Sequence, residues 1–161
     1  DADLFARLER TSFEALRNDL DLLSDAISAS VRVKTDIVGR DEREAGERRK
    51  LNLGHTLAHA IEKCSSAMNH GEAVAVGTAM IADVAVRLGL LKPDDRDRIV
   101  ALLLTLGFDL TPPVDARRLL KEIDKDKKNE DGTLRIVLPV GIGDCEVRPI
   151  AVEEFAALVL P

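Results

Sequence analysis

The chain has 161 residues, enough for one domain with a sizeable core, and its composition of 45% hydrophobic and 32% charged residues is typical of a soluble protein. Its net charge of −6, with four Phe and no Tyr or Trp, argues against a nucleic-acid-binding protein, which needs cations and aromatic stacking platforms. Two distant cysteines, Cys64 and Cys145, give no disulfide framework, and no apolar run predicts a membrane span or secretory signal, so a cytoplasmic location is expected.

Apolar residues recur at three- and four-residue steps through the first part of the chain, which predicts amphipathic helices. The first contains Leu4 to Leu8, and the second is expected to run from Phe13 to a natural stop at Gly39. Thr11 or Ser12 would cap the second helix. The chain opens without methionine and as if inside a helical protein, so we expect a fragment of a longer protein.

The most charged stretch, residues 40–50, is expected to be a partly exposed loop or helix face. This stretch leads directly into a histidine-rich segment. A basic side chain from it can therefore reach a site there, and the candidates are Arg43, Arg48, Arg49 and Lys50. Just before this stretch, Lys34 lies near the end of the second helix, where a cation also suits the helix dipole.

All three histidines of the chain fall within sixteen positions, at His55, His59 and His70. On a helix, His55 and His59 would share one face, and such a pair can bind a metal or divide metal binding from proton or anion handling. The pair is not the metalloprotease pattern, because Thr56 replaces the required glutamate. Ordinary surface or core histidines are the alternative, but the clustering favours a functional site.

If His55 and His70 belong to one site, the backbone between them cannot be one continuous helix. His55 and His70 are fifteen residues apart, about 22 Å along an unbroken helix. The chain must therefore turn back between them, and residues 64–69, with two Ser and one Asn, are a plausible break.

The remaining elements predict one helical domain, residues 1–161, with a small antiparallel β-hairpin near the C-terminus. Residues 125–129 are expected to be a solvated turn. The predicted elements are a central buried helix over 72–90, helices over 96–106, 116–123 and 152–160, and strands over 134–139 and 145–149.

Several short motifs occur together and in order along the whole chain, and the set resembles the C-terminal half of 3-dehydroquinate synthase. They are Lys34-Thr35-Asp36-Ile37-Val38, Asp41-Glu42-Arg43-Glu44, Arg48, Leu51-Asn52-Leu53-Gly54-His55-Thr56, His59-Ala60-Ile61-Glu62, His70-Gly71-Glu72-Ala73-Val74-Ala75-Val76-Gly77 and Asp126-Lys127-Lys128. The resemblance implies a dehydroquinate synthase-like helical domain whose partner is an N-terminal NAD-binding domain, in a cytoplasmic, homodimeric enzyme of the shikimate pathway. It further implies a lyase that converts the sugar-acid phosphate DAHP to 3-dehydroquinate, losing phosphate after transient oxidation by NAD.

The resemblance also assigns residues. His55 and His70 look like two ligands of a zinc or cobalt ion, whose third ligand in the family is a glutamate upstream of the present chain. Five further residues look like catalytic or substrate-binding groups: His59, Lys34, Arg48, Asn52 and Lys128, the last preferred to Lys127. Without the NAD-binding half, the isolated chain is expected to be inactive.

Two departures from the family pattern leave alternatives open. Leu57 and Ala58 stand where Phe and Gly are common, which leaves room for a related cyclase such as 2-deoxy-scyllo-inosose synthase. A stand-alone helical domain that binds a metal or an anion without catalysis is the alternative from a different class.

Overall fold

The computed structural model describes residues 1–43, 46–127 and 132–160, with side chains for all of these except 126 and 127. The helices are α1 (Ala2–Leu8), α2 (Phe13–Asn18), α3 (Leu20–Arg40), a 3₁₀ helix (Glu47–Asn52), α4 (His55–Cys64), α5 (His70–Arg87), α6 (Pro93–Thr105), α7 (Ala116–Lys127) and α8 (Val152–Val159). The strands are β1 (Thr133–Gly141) and β2 (Asp144–Ala151). Within the described ranges, no helix combines the length and apolar character needed to cross a bilayer.

The predicted fold class is confirmed: the chain is mainly helical, with a two-stranded antiparallel sheet near its C-terminus. The strands pair in the register Leu134 opposite Ile150 and Val137 opposite Val147. Leu134, Ile136 and Leu138 alternate onto the buried face of β1, as the two-residue period of a strand requires.

The predicted central helix is α5, which packs against α4, α6, α8 and β1. Nine of its eighteen residues are buried, and most of them are Ala, Val or Gly, so neighbouring elements can approach it closely. The largest fully buried side chains include Ile81 of α5 itself, Leu57 and Ile61 of α4, and Phe155 of α8. This core fixes the position of α4, which carries two of the three histidines.

The closest approach of α4 to α5 occurs at two glycines. A Cβ added to Gly77 would overlap the carbonyl oxygen of Gly54. A Cβ on Gly54 would lie 2.7 Å from the backbone nitrogen of Thr78, and Gly54 has a φ of 78°, which other residues rarely adopt. Both positions therefore require glycine, and the crossing sets where α4 begins.

The predicted single helix from Phe13 to Gly39 is wrong, because Asp19 interrupts it and separates α2 from α3. Ser12 caps α2, as predicted, by accepting a hydrogen bond from the backbone N–H of Ala15 at 3.0 Å. The Asp19 carboxylate then accepts hydrogen bonds from the N–H groups of Asp21 and Leu22, both at 3.0 Å. Asp19 is thus the N-cap of a new helix, because its side chain competes with helical backbone bonding.

The apolar stripe of α3 is largely uncovered by the described chain. Leu20, Ile27 and Val31 are 77%, 55% and 53% exposed, and Ala29 is the one buried residue of this helix. The three-and-four spacing therefore predicted the helix correctly but not the burial of its apolar face.

The predicted turn over residues 125–129 is also wrong in its first part, because α7 continues to Lys127. Lys125 donates to the Glu122 carboxylate at 2.6 Å, one helical turn away, so its charge is accommodated on the helix surface. Residue 128, favoured above as the site lysine, lies outside the described residues.

The glycine crossing leads to a stability prediction. Gly77→Ala should lower the free energy of unfolding by about 2–3 kcal/mol, because the added methyl group meets backbone atoms that cannot rotate away. Gly39→Ala is the matched control: it lies in α3 with nothing within 4 Å of its added Cβ, and it should be neutral or stabilising by up to about 1 kcal/mol. Urea denaturation measures both, and equal stabilities of the two variants would contradict the tight crossing.

Candidate functional site

The structure brings the three histidines together. The ring centroids are 5.3 Å apart for His55 and His70, 5.8 Å for His55 and His59, and 6.4 Å for His59 and His70. His55 and His70 are the first residues of α4 and α5, and His59 lies one turn into α4. The break required by the sequence is the five-residue segment 65–69 between these helices.

A capping box fixes the start of α5 and hence the position of His70. The Asn69 side chain accepts a hydrogen bond from the N–H of Glu72 at 3.0 Å, and the Glu72 carboxylate accepts one from the N–H of Asn69 at 2.8 Å. These reciprocal bonds satisfy backbone donors that the first turn of the helix leaves unpaired. His70 is therefore held at the first helical position, beside the face of α4.

The hydrogen bonds of the His55 and His70 rings determine which ring nitrogen is available to bind a metal ion. His55 Nδ1 lies 3.1 Å from the carbonyl oxygen of Leu53, and His70 Nδ1 lies 3.0 Å from Glu62 Oε1. A carbonyl and an ionised carboxylate only accept hydrogen bonds, so each Nδ1 must carry the proton. In the neutral form of each ring, the Nε2 atom then keeps a lone pair, which is the arrangement of metal-ligating histidines.

The ring separations agree with a shared metal ion. Two imidazoles that bind one tetrahedral zinc through Nε2 place their centroids about 5 Å apart, as follows from zinc–nitrogen distances of about 2.0–2.1 Å. The His55–His70 separation of 5.3 Å is the nearest of the three to this value. Over the described ranges, no group of three or more His, Cys, Asp or Glu side chains is placed to hold a metal. A metal ion held by His55 and His70 would therefore need at least one ligand from beyond the described residues.

A cavity of about 330 Å³ adjoins the histidines and collects four predicted site residues. Lys34 reaches it from α3, and Arg48 and Asn52 from the 3₁₀ helix, while His55 lines it from the start of α4. Leu51 is the remaining lining residue among those the structure describes, which border the cavity with two cationic side chains and no carboxylate. Such a lining suits an anion.

Hydrogen bonds between backbone N–H groups and the Asp41 side chain hold the 3₁₀ helix at this cavity. The Asp41 carboxylate accepts hydrogen bonds from the N–H groups of Gly46 at 2.8 Å and Arg48 at 2.9 Å. Arg48 also donates through Nη1 to the carbonyl oxygen of Glu42 at 2.8 Å. Arg48 is therefore a half-buried, anchored side chain and not a freely solvated member of the charged run.

The neighbouring ion pair joins the 3₁₀ helix to α3. Arg40 donates to both carboxylate oxygens of Glu47, at 2.9 and 3.1 Å. This hydrogen bonding lowers the pKa of the Glu47 carboxyl and raises that of the Arg40 guanidinium. The pair is exposed, so its main effect is to restrict geometry and not to add stability.

The other cations of the charged run point elsewhere. Arg49 and Lys50 line a second cavity of about 570 Å³ against the β-hairpin, and Arg43 is exposed. Carboxylates of Glu47 and Glu146 share that cavity, so its charge is mixed. Burial raises the pKa of the Cys145 thiol in its wall. Of the four cations that the sequence left open, Arg48 alone lines the cavity beside the histidines.

Two contributors were not assigned a role from the sequence. Asp41 and Glu62 both lie inside the quoted motifs, but neither spacing nor composition shows what a carboxylate contacts. For Glu62 a signal existed: it lies seven residues after His55 and three after His59, on the same helix face.

The chain is similar in sequence to 3-dehydroquinate synthases. The family model for the 3-dehydroquinate synthase C-terminal region matches residues 1–129. The 3-dehydroquinate synthase of Halorhodospira halophila is 45% identical over 134 residues, covering 81% of this chain and 38% of that protein. The same enzyme from Pelobacter propionicus is 38% identical over 161 residues, covering 98% of this chain and 45% of that protein. The chain thus spans less than half the length of these curated relatives.

Solved structures of two other cyclases share the fold. The 2-epi-5-epi-valiolone synthase of Streptomyces hygroscopicus, with NAD+ and Zn2+ bound, has a TM-score of 0.82 at 24% identity, covering 99% of this chain and 46% of that one. A 2-deoxy-scyllo-inosose synthase complexed with carbaglucose-6-phosphate, NAD+ and Co2+ has a TM-score of 0.73 at 23% identity, covering 86% and 41%. At these identities the likeness extends to the fold alone.

The anchoring of the 3₁₀ helix leads to a prediction about local dynamics. Asp41→Ala should accelerate hydrogen exchange of the Gly46 and Arg48 amides by roughly tenfold, because each loses a charged acceptor. Asp25→Ala, which removes an exposed carboxylate of α3, should leave both rates unchanged. Amide exchange followed by NMR makes the comparison, and unaltered rates in the Asp41 variant would show that other bonds hold this helix.

Proposed function

The chain belongs to the 3-dehydroquinate synthase C-terminal family, and on that premise we propose that residues 1–161 form the metal- and substrate-binding domain of a 3-dehydroquinate synthase. The proposed reaction converts the phosphorylated sugar acid DAHP to 3-dehydroquinate with loss of inorganic phosphate, in the shikimate pathway. One observation carries the proposal: a cavity whose described lining has two cations and no carboxylate opens at His55, whose ring lies 5.3 Å from that of His70.

The substrate in this proposal carries two anionic groups, a carboxylate and a phosphate. Arg48 supplies a planar fork of donors that matches either group, and Lys34 adds a compact charge across the same cavity. Asn52 can donate to or accept from a sugar hydroxyl, which orients the substrate without adding charge. Together these residues would bind the substrate with its reacting carbons towards the histidines.

His59 is proposed as the residue that handles protons. Its ring lies 5.8 Å from that of His55, so it stays close to the metal position without being needed as a ligand. An imidazole changes charge near neutral pH and can donate or accept a proton at a phosphate or hydroxyl oxygen. Lys128 is proposed as a further cation of the site from the family motif alone.

His55 and His70 would hold the zinc or cobalt ion through their Nε2 atoms. When bound, such an ion supplies Lewis-acid polarisation of a substrate oxygen. The chain's own contribution is to orient the two rings through Leu53 and Glu62 and to place the anion cavity next to them. The remaining ligand would come from a segment outside this chain.

The NAD-dependent steps are proposed to need that further segment as well. No Gly-rich dinucleotide fingerprint occurs among the ten glycines, and the sheet in the described part of the chain is antiparallel with two strands. We therefore assign NAD binding to an N-terminal domain that joins this one in the complete enzyme, and we propose that the complete enzyme is a cytoplasmic homodimer.

Among the sugar-phosphate cyclases, the synthase named above is favoured because the curated relatives that share 38–45% identity carry its name. Leu57 and Ala58, the two departures from the family pattern, are fully buried. They therefore belong to the core under the histidine face, and they contact no substrate in this proposal.

The anion cavity predicts a response to phosphate. Inorganic phosphate should raise the melting temperature of the chain, because it binds the folded cavity and not the unfolded chain. Arg48→Ala should abolish this shift, whereas Arg49→Ala should keep it, since Arg49 lines the other cavity. Thermal melts at increasing phosphate test this, and an equal response of parent and Arg48 variant would place the anion elsewhere.

Because NAD binding and one metal ligand are assigned to another segment, we expect that this chain alone does not catalyse the reaction. With DAHP, NAD and zinc added, release of inorganic phosphate should stay at the background rate, because hydride transfer needs a bound dinucleotide. A phosphate-release assay measures this, with a complete relative such as the Halorhodospira halophila enzyme as the positive control. Robust turnover by the chain alone would contradict the assignment of NAD binding to another segment.

A further inference from the structure

A carboxylate completes the histidine face of α4. His55, His59 and Glu62 occur at steps of four and three residues, so they lie along one stripe of the helix. The ring of His70 lies against this stripe, 5.3 Å from the ring of His55 at one end and in contact with Glu62 at the other. His70 is thus held between a second histidine and an acid.

We infer that Glu62 is the positioning residue of His70: its carboxylate accepts the Nδ1 proton, fixes the tautomer and turns Nε2 towards His55. The inference rests on the proposed metal-binding role of His70. Glu62 Oε1 lies 3.0 Å from Nδ1, which is hydrogen-bonding distance. His55 obtains the same orientation from a backbone carbonyl, so the two rings are fixed by different chemistry.

The side chain of His70 needs such a partner more than that of His55. His70 is 57% exposed and lies on the first turn of its helix, so few packed neighbours restrict its ring. Without an acceptor at Nδ1, the ring can rotate, and its proton can move to the nitrogen that a metal requires unprotonated. An acidic partner at Nδ1 also increases the basicity of Nε2, which strengthens metal binding.

The other nearby acid does not perform this task. Glu72 lies two residues after His70, but one of its oxygens accepts the Asn69 N–H in the capping box. Glu72 therefore determines where α5 starts, while Glu62 contacts the imidazole itself. This difference supplies a matched control, because Glu72→Gln keeps the capping acceptor and removes one negative charge close to the same histidine.

The first test needs no metal. In the metal-free chain, above the pH at which histidines are charged, ¹⁵N NMR of the two ring nitrogens should show His70 protonated at Nδ1. Glu62→Ala should shift His70 towards the Nε2-protonated tautomer, while Glu62→Gln, which keeps an acceptor, and Glu72→Gln should preserve the Nδ1 proton. A parent chain with His70 protonated at Nε2 would overturn the inference.

The second test measures zinc affinity by titration in competition with a chelator. Glu62→Ala should weaken binding by about 10- to 100-fold, the usual cost of removing an outer-shell partner, and Glu62→Gln should weaken it less. Glu72→Gln should bind zinc like the parent. Equal affinities of the parent and Glu62→Ala would overturn the inference, and so would a Glu62→Gln variant as weak as Glu62→Ala, which would mark the carboxylate as a direct ligand.

The two tests separate the inference from the proposed function. Absence of zinc binding in the parent, together with an Nδ1-protonated His70 that depends on Glu62, would refute zinc binding by the His55–His70 pair of this chain alone and leave the positioning contact intact. Zinc binding in the parent that is indifferent to Glu62 would leave the metal site intact and refute the positioning role. Far-ultraviolet circular dichroism of each variant excludes unfolding as the cause.

Discussion

The close crossing of α4 and α5 is the constraint on which the site depends. It exists because Gly54 and Gly77 have no side chains at the point where the two helices meet. Gly54 is also the N-cap of α4, so the same contact that packs the helices decides that α4 begins at His55. The buried Leu57 and Ile61 continue the contact, and the opposite stripe of α4 is left to carry His55, His59 and Glu62. Packing on one face therefore sets the chemistry of the other.

Local patterns predicted most of the fold because each pattern has a local cause. Apolar spacing and glycine stops indicated the central helix, and alternation around a Gly-rich turn indicated the hairpin. The failures arose where one side chain changed the outcome: Asp19 interrupts a continuous apolar stripe, and Lys125 extends α7 through an ion pair within the helix. A periodic pattern does not distinguish an interrupted helix from a continuous one, because a cap requires only one polar residue.

The sequence predicted that four of the candidate residues come together but not what they contact. The histidine cluster and the family motifs named Lys34, Arg48, Asn52 and His55, and all four line one cavity. The sequence did not show which of four neighbouring cations enters that cavity. The roles of Asp41 and Glu62 were also hidden, because a carboxylate's partner is set by tertiary structure and not by spacing.

The 3₁₀ conformation helps explain how cations from one charged stretch, residues 40–50, line two different cavities. In a 3₁₀ helix, residues three apart are stacked on the same side. Arg48 and Leu51 therefore share the side that faces the cavity beside the histidines, and Glu47 and Lys50 share the side that faces the cavity beside the hairpin. Arg49 and Asn52 do not follow this rule: they also lie three apart but line different cavities. Among the lining residues that the structure describes, the first cavity has no acid and the second has Glu47 and Glu146, so a single turn of backbone separates a cationic lining from a mixed one. Since α4 begins at the same place, with no side chain capping its first N–H groups, the positive end of its dipole adds to the field of Lys34 and Arg48. Three independent sources of positive potential thus meet beside the histidine cluster, where the proposed anionic substrate would bind.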